Sequence, residues 1–98
     1  MSEKAVLIVT ATPNPNEMEA LKRYQEKATQ LLTEGGGTNL QRYEVQSSVA
    51  GNQRKIVALL DFESVEQIEA VLNSADYRTI IPDRDKGFAD IDIFIGQS

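Results

Sequence analysis

The sequence predicts an α+β fold in which a four-stranded antiparallel sheet carries two helices on one face. Three observations predict it: four short runs are rich in β-branched and apolar residues, two longer segments have apolar residues at helical spacing, and these follow the order β-α-β-β-α-β. The chain of 98 residues has the length of one domain, spanning 1–98, which is long enough to bury one ordinary core.

The N-terminal third predicts the first strand and the first helix. Lys4 to Ala11 has the length and β-branched content of a strand, and Thr12-Pro13-Asn14-Pro15 ends it because proline cannot donate a ladder hydrogen bond. Asn14 is the predicted N-cap of the helix, with Pro15 at its first position and Glu17 completing a capping box. The apolar stripe of this helix, which runs to about residue 34, contains Met18, Leu21, Tyr24, Ala28, Leu31 and Leu32.

A glycine triplet separates this helix from a predicted hairpin. Gly35-Gly36-Gly37 follows a helix and precedes a strand, the reverse of a phosphate-binding loop, so its predicted role is to end the helix. Leu40 to Val49 alternates in polarity, as expected of a half-exposed strand. Ala50-Gly51-Asn52-Gln53 is the predicted connection, and Lys55 to Phe62 is the strongest strand pattern in the chain.

The second half predicts a capped helix, one or two further helical turns and a last strand. Ser64 and Gln67 form a Ser-x-x-Gln capping box. The further turns fall within Ala75 to Lys86, and Phe88 to Gly96 completes the sheet. The resulting order is the split arrangement of ferredoxin-like folds.

Two strands, Ala5 to Ala11 and Ile56 to Leu60, are apolar on both faces, so both faces of the sheet need a cover. The helices cover one face. The residues predicted on the other face are Val57, Leu59, Asp61, Asp92 and Phe94. Because too much of this face is apolar for water, a second copy of the chain is the expected cover, and the predicted assembly is a homodimer.

Composition excludes several functions. Without Cys or His, one chain cannot form a zinc site with thiolate or imidazole ligands, a Ser-His or Cys-His nucleophile pair, a His-ligated haem or a disulfide. A net charge of -5 and the lack of a basic run argue against nucleic acid as a partner. An N-terminal apolar run of about eight residues is too short for a signal sequence or a membrane span, which predicts a cytoplasmic protein without a membrane partner.

Four aspartates surround Gly87: Asp83, Asp85, Asp90 and Asp92. An EF-hand needs glycine at its sixth position and glutamate at its twelfth, whereas counting from Asp83 places Gly87 fifth and Phe94 twelfth. Basic residues are interleaved with the aspartates, so the pattern favours solvated, self-paired charges. No metal site and no cofactor are predicted.

The second half resembles a known family in Phe62-Glu63-Ser64 leading into a helix, then Asn73 to Tyr77, then Arg84, and a β-rich end. The chain resembles an uncharacterised bacterial family of the dimeric α/β-barrel superfamily, which includes the antibiotic-biosynthesis-type monooxygenases. The resemblance implies a two-fold dimer whose sheets face each other across a barrel, with Tyr77 and Arg84 at family positions. The chain departs from the family pattern in two places, where an expected aromatic is Val71 or Leu72 and an expected proline is Ala75.

The candidate site residues are polar groups near the expected pocket. Arg84, with Tyr77 nearby, could hold a carboxylate or an enolate-like ligand, or Arg84 could form an ion pair with Asp83, Asp61 or the partner chain. Asp61 is also the candidate base of an enzyme, provided that it projects into the barrel and is partly buried.

Further candidates are an acidic residue and two tyrosines. Asp92 could line the barrel interior or simply bond Arg or Tyr groups at the dimer seam. Tyr24 is expected on the core side of the first helix. Tyr43, on a more exposed strand, is expected to border the interface.

Three functions are compatible with these residues. The first is a small dimeric domain that binds a small acidic or hydrophobic metabolite. The second is a cofactor-independent enzyme, monooxygenase-like, isomerase-like or decarboxylase-like, in which Arg84 and Tyr77 bind a small activated substrate and Asp61 is the base. The third is a structural homodimer without ligand or cavity.

Overall fold

The protein consists of one antiparallel sheet with helices packed on one side of it, described by a computed structural model for residues 4–98. Its elements are β1 (Ala5–Pro13), α1 (Met18–Glu34), β2 (Thr38–Glu44), β3 (Ile56–Phe62), α2 (Val65–Leu72), α3 (Ala75–Arg78), α4 (Ile81–Gly87) and β4 (Phe88–Gln97). The strands pair antiparallel in the order β2-β3-β1-β4. This confirms the predicted ferredoxin-like α+β fold.

The register of the strands decides which side chains share a face of the sheet. The face packed against the helices, here called the helix face, carries Ala5, Leu7, Val9, Ala11, Ile56, Ala58, Leu60, Phe62, Ile91 and Ile93. The opposite face, here called the open face, carries Val6, Ile8, Thr10, Val57, Leu59, Asp61, Asp92 and Phe94. The alternation predicted for β3 and β4 is therefore confirmed.

The first helix begins later than the sequence predicts. Its N-cap is Glu17, whose side chain makes no capping hydrogen bond. Asn14 instead forms a turn ahead of the helix: its Oδ1 accepts a hydrogen bond from the backbone N of Asn16 at 3.0 Å, and its carbonyl accepts one from Glu17 N at 3.0 Å. The predicted capping box at Asn14 is wrong because the asparagine satisfies this turn rather than the helix.

The first two strands also differ from the prediction. β1 continues through Pro13, with a shift of register between Thr12 and Pro13. β2 ends at Glu44, and 45–55 is a loop in which Val49 is 98% exposed. The last pair of this ladder joins Glu44 to Ile56, and one further backbone hydrogen bond, from Val45 N to the carbonyl of Lys55 at 2.9 Å, follows it.

The glycine triplet ends α1, as predicted. Gly36 has φ of 110°, a left-handed conformation that favours glycine. Gly37 packs so closely that a Cβ there would come within 2.7 Å of Leu60. The described residues include no helix that is long and apolar enough to cross a membrane.

Replacing Ser64 by alanine is expected to lower the free energy of unfolding by about 1 kcal/mol. Ser64 Oγ accepts a hydrogen bond from Gln67 N at 3.2 Å, as predicted for the N-cap, whereas Gln67 Oε1 accepts one at 3.0 Å from the backbone N of Glu63, the residue before the N-cap. Chemical denaturation measures the loss. Ser48→Ala, at an exposed loop position, is the control, and equal stability of the two variants would contradict the role of the cap.

Candidate binding cavity

A cavity of about 190 Å³ lies between α1 and the helix face of the sheet. Its apolar wall consists of Leu7, Val9, Ala11, Ala28, Leu32, Ile56, Ala58, Leu60 and Phe88. The residues at its exposed side are Gln25, Thr29, Leu40 and Arg42, from α1 and β2. The cavity opens there because β2 is the edge strand and all of its residues are exposed.

The size and lining of the cavity suit a small organic molecule. An apolar cavity of about 150 Å³ in a protein core stays dry and admits benzene. The cavity under α1 is somewhat larger and is lined mainly by apolar side chains. It therefore has room for a substituted ring or a short branched chain.

Arg42 is the charged residue that lines this cavity. Its position opposite Ala58 places it on the helix face at the open edge of the sheet. Within residues 4–98 it makes no ion pair, although four other basic side chains do. Sequence reasoning missed Arg42, and the available signal was a cation on the same side of the strand as Leu40.

A hydrogen-bonded chain connects Tyr24, which lines the cavity, to Tyr77 and Arg84, which lie behind the cavity wall. The hydroxyl oxygens of Tyr24 and Tyr77 are 2.8 Å apart, and Arg84 Nη1 donates to the hydroxyl of Tyr77 at 3.4 Å. The Tyr77 backbone N donates to Ser74 Oγ at the start of α3, which holds the 2% exposed tyrosine in the core. Burial raises the pKa of Tyr24 well above its usual value, and the neighbouring Tyr77 raises it further.

The structure thus brings together Tyr77 and Arg84, as the sequence predicted, and buries Tyr24 beside them. The ion-pair partner of Arg84 is Asp85, at 3.2 Å. The alternative of an Asp83 partner is wrong, because Asp83 pairs with Arg23 at 3.0 Å. A role of Tyr77 and Arg84 in ligand binding stays a prediction.

Asp61 and Asp92 lie on the open face, across the sheet from this hydrogen-bonded chain. Asp61 accepts a hydrogen bond from Asn39 Nδ2 at 3.0 Å and forms no ion pair with Arg84. Asp92 forms an ion pair with Arg54 at 2.8 Å. Asp61 and the pair of Arg84 and Tyr77 therefore lie on opposite sides of the sheet within one protomer, and a role of Asp61 as a base stays a prediction.

The remaining candidate, Tyr43, lies on the open face opposite Val57 and is exposed, consistent with its predicted place at an interface. Among the C-terminal aspartates, Arg84–Asp85 is a pair within the cluster, as predicted, whereas Asp83 pairs with Arg23 of α1 and Asp92 with Arg54 of the loop before β3. Hydrogen bonds from Arg23 hold the pKa of Asp83 below its usual value.

Three solved structures illustrate what the chain resembles. A protein of unknown function from Rhodopseudomonas palustris is 13% identical, with a TM-score of 0.81 over 100% of this chain and 84% of that one. A dimeric ferredoxin-like protein of unknown function from Thermobifida fusca is 11% identical, with a TM-score of 0.66 over 100% and 93%. A candidate antibiotic biosynthesis monooxygenase from Nitrosomonas europaea is 19% identical, with a TM-score of 0.67 over 100% and 92%.

At these identities the similarities show the fold alone, and they agree with the family resemblance predicted from the second half of the sequence. No curated protein is similar enough in sequence to count as a relative. Residues 4–96 match the profile of the family described as "Domain of unknown function (DUF1330)". Since this match covers nearly the whole chain, the protein belongs to the DUF1330 family.

Proposed function

We propose that the chain forms a homodimer and that each protomer binds a small, largely apolar organic acid in the cavity under α1. The observation that carries the proposal is Arg42, a cation without an ion-pair partner among residues 4–98, at the edge of an otherwise apolar cavity. In this proposal the apolar wall contacts the hydrocarbon body of the ligand, and the guanidinium of Arg42 binds its acid group.

Both features favour an acid over a neutral or a strongly polar ligand. Each Å² of apolar ligand surface removed from water contributes about 25 cal/mol of favourable free energy. A ligand with a hydrocarbon body therefore gains binding free energy from contact with the apolar wall. A guanidinium donates two parallel hydrogen bonds to a carboxylate, which Lys or a neutral donor cannot reproduce. Because Arg42 lies at the exposed side, the acid group keeps part of its contact with water.

The cavity supports ligand binding over the other two functions. A purely structural homodimer predicts a filled interior, whereas this protomer retains a cavity of about 190 Å³. The enzyme hypothesis needs a base beside the substrate, and its predicted base, Asp61, lies on the other face of the sheet. Binding requires only the apolar wall and the cation that line the cavity.

The homodimer rests on the open face. Ile8 lies directly opposite Leu59 on one neighbouring strand and Phe94 on the other, which makes an apolar row across the middle of that face. Phe94 is 54% exposed in the protomer. A second copy of the same face would bury this row, and the similar protein from Thermobifida fusca is described as dimeric.

Arg42→Gln is expected to weaken binding of 4-isopropylbenzoate about tenfold, because the variant loses a charge-assisted hydrogen bond to the carboxylate. Binding of the uncharged 4-isopropylbenzamide should change less than about twofold, because its hydrocarbon body meets the same wall. Isothermal titration calorimetry on the purified protein measures both affinities.

Arg78→Gln is the matched control, because Arg78 is an exposed arginine on α3 that does not line the cavity. It should leave both affinities unchanged. The proposal is wrong if neither compound binds the wild-type protein at millimolar concentration, or if Arg42→Gln weakens the acid and the amide equally.

A further inference from the structure

The hydroxyls of Tyr24 and Tyr77 hold two protons, but the bond between them uses only one. The guanidinium of Arg84 has only donors. Its hydrogen bond therefore uses a lone pair of the Tyr77 hydroxyl oxygen, and Arg84 cannot accept the proton of either tyrosine. Residues 4–98 provide no further hydrogen-bond partner for either hydroxyl. One of the two protons therefore lacks an acceptor in the described part of the chain.

Either hydroxyl can be the donor in the bond between the two tyrosines, and burial favours the arrangement in which the free proton is that of Tyr24. A buried donor without an acceptor is costly, and Tyr77 is 2% exposed and lies behind the cavity wall. Tyr77 avoids this cost by donating to Tyr24, and the donation from Arg84 polarises Tyr77 so that it becomes a stronger donor. Tyr24 lines the cavity, where a ligand atom or water can accept its proton.

Burial keeps the hydroxyl of Tyr24 protonated. The pKa of Tyr24 is raised mainly because burial penalises the charged phenolate, so the hydroxyl stays protonated throughout the physiological range. Its ring is fixed by edge-to-face contacts with Tyr77 and Phe88, at centroid distances of 6.2 and 5.8 Å. A fixed, neutral hydroxyl is suited to donate to a neutral acceptor oxygen.

Tyr24 and Arg42 lie at different ends of the cavity. Tyr24 packs with Ala11 and Phe88, which belong to β1 and β4, whereas Arg42 belongs to the edge strand β2. β2 and β1 are two strand spacings apart in the sheet, which is about 10 Å. Since the two groups come from different ends of the cavity lining, each is assigned to a different part of the ligand.

We infer that the Tyr24 hydroxyl donates a hydrogen bond to the ligand, so that the cavity prefers small acids bearing a neutral acceptor oxygen, such as a ketone, at the end remote from the carboxylate. This inference rests on the proposed function, since it takes the acid group to lie at Arg42. It goes further by assigning the inner end of the cavity to a carbonyl rather than to a hydrocarbon group.

The test compares two ligands of matched shape in two proteins. 4-Acetylbenzoate carries a ketone where 4-isopropylbenzoate carries a methyl group, and Tyr24→Phe removes the hydroxyl while it keeps the ring. Calorimetry gives the affinity ratio of the two acids for each protein. We expect this ratio to shift by about fivefold against 4-acetylbenzoate in Tyr24→Phe, the usual effect of one neutral hydrogen bond.

Tyr43→Phe is the matched control, because it makes the same chemical change on the open face and should leave the ratio unchanged. A ratio in Tyr24→Phe equal to that of the wild type overturns the inference and leaves the proposed function standing, provided that both acids still bind. If Arg42→Gln has no effect or neither acid binds the wild-type protein, the proposed function fails and this inference fails with it.

Discussion

Replacing Phe94 by lysine is expected to convert the proposed homodimer into a folded monomer. Phe94 is 54% exposed in the protomer and lies beside Ile8 in the apolar row of the open face, so a lysine can reach water when the protomer is alone. In a pair of facing sheets the same ammonium group would be removed from water and placed in the apolar row, which is strongly unfavourable. We expect the dimer dissociation constant to rise at least about a hundredfold.

Sedimentation equilibrium measures this change, and circular dichroism establishes that the variant is folded. Met18→Lys is the matched control: Met18 is 55% exposed, but it is the first residue of α1 and lies outside the open face. This control should remain dimeric. A wild-type monomer at micromolar concentration, or a Phe94→Lys dimer as tight as the control, would show that the open face is not the interface.

The open face is the part of the fold that the sequence predicts best. Side chains of a strand alternate with a period of two, so the residues Asp92 and Phe94 must point away from Ile91 and Ile93 once the strand is recognised. The same alternation separates Leu59 from Leu60. No tertiary information is needed for this step, and the pairing register agrees with it.

The cavity could not be predicted in the same way, because it depends on how far α1 extends over the sheet. Arg42 and Tyr43 alternate in the sequence, but the alternation does not say which of them faces the helices. The bond between Tyr24 and Tyr77 joins residues on different helices, and no local pattern relates them. The sequence suggested Tyr77 and Arg84 by family resemblance, and only the packing adds Tyr24 and Arg42.

At the helix N-termini, residue type alone did not identify which candidate residue is the N-cap. Asn14 and Ser64 are both good N-caps by residue type, but only Ser64 caps a helix. Asn14 closes a turn with Asn16, and its backbone N donates to the carbonyl of Gly87 at 2.9 Å. This contact with a distant glycine holds the start of the α1 region against the end of α4, which a capping rule does not take into account.

Gly87 of α4 packs against the backbone of α1, and Gly87→Ala is expected to destabilise the protein by about 2 kcal/mol. A Cβ at this position would lie 2.7 Å from both the Cα and the backbone N of Leu21. Real Cβ atoms do not come this close to backbone atoms, so α4 must move away from α1. The movement would disturb the packing of Leu21, Tyr24 and Phe88 in the core beneath.

Helix propensity alone predicts the opposite sign. Gly87 is a helical residue without a positive φ, so alanine would be expected to stabilise it by up to about 1 kcal/mol if it had space. Gly51→Ala is the complementary control, because a Cβ there meets nothing within 4 Å and only the φ of 85° opposes it. Thermal unfolding should place the Gly87→Ala midpoint about 10 °C below the wild type. A midpoint at or above the wild-type value would mean that α1 and α4 can separate without cost, and the close approach would then not limit the choice of residue.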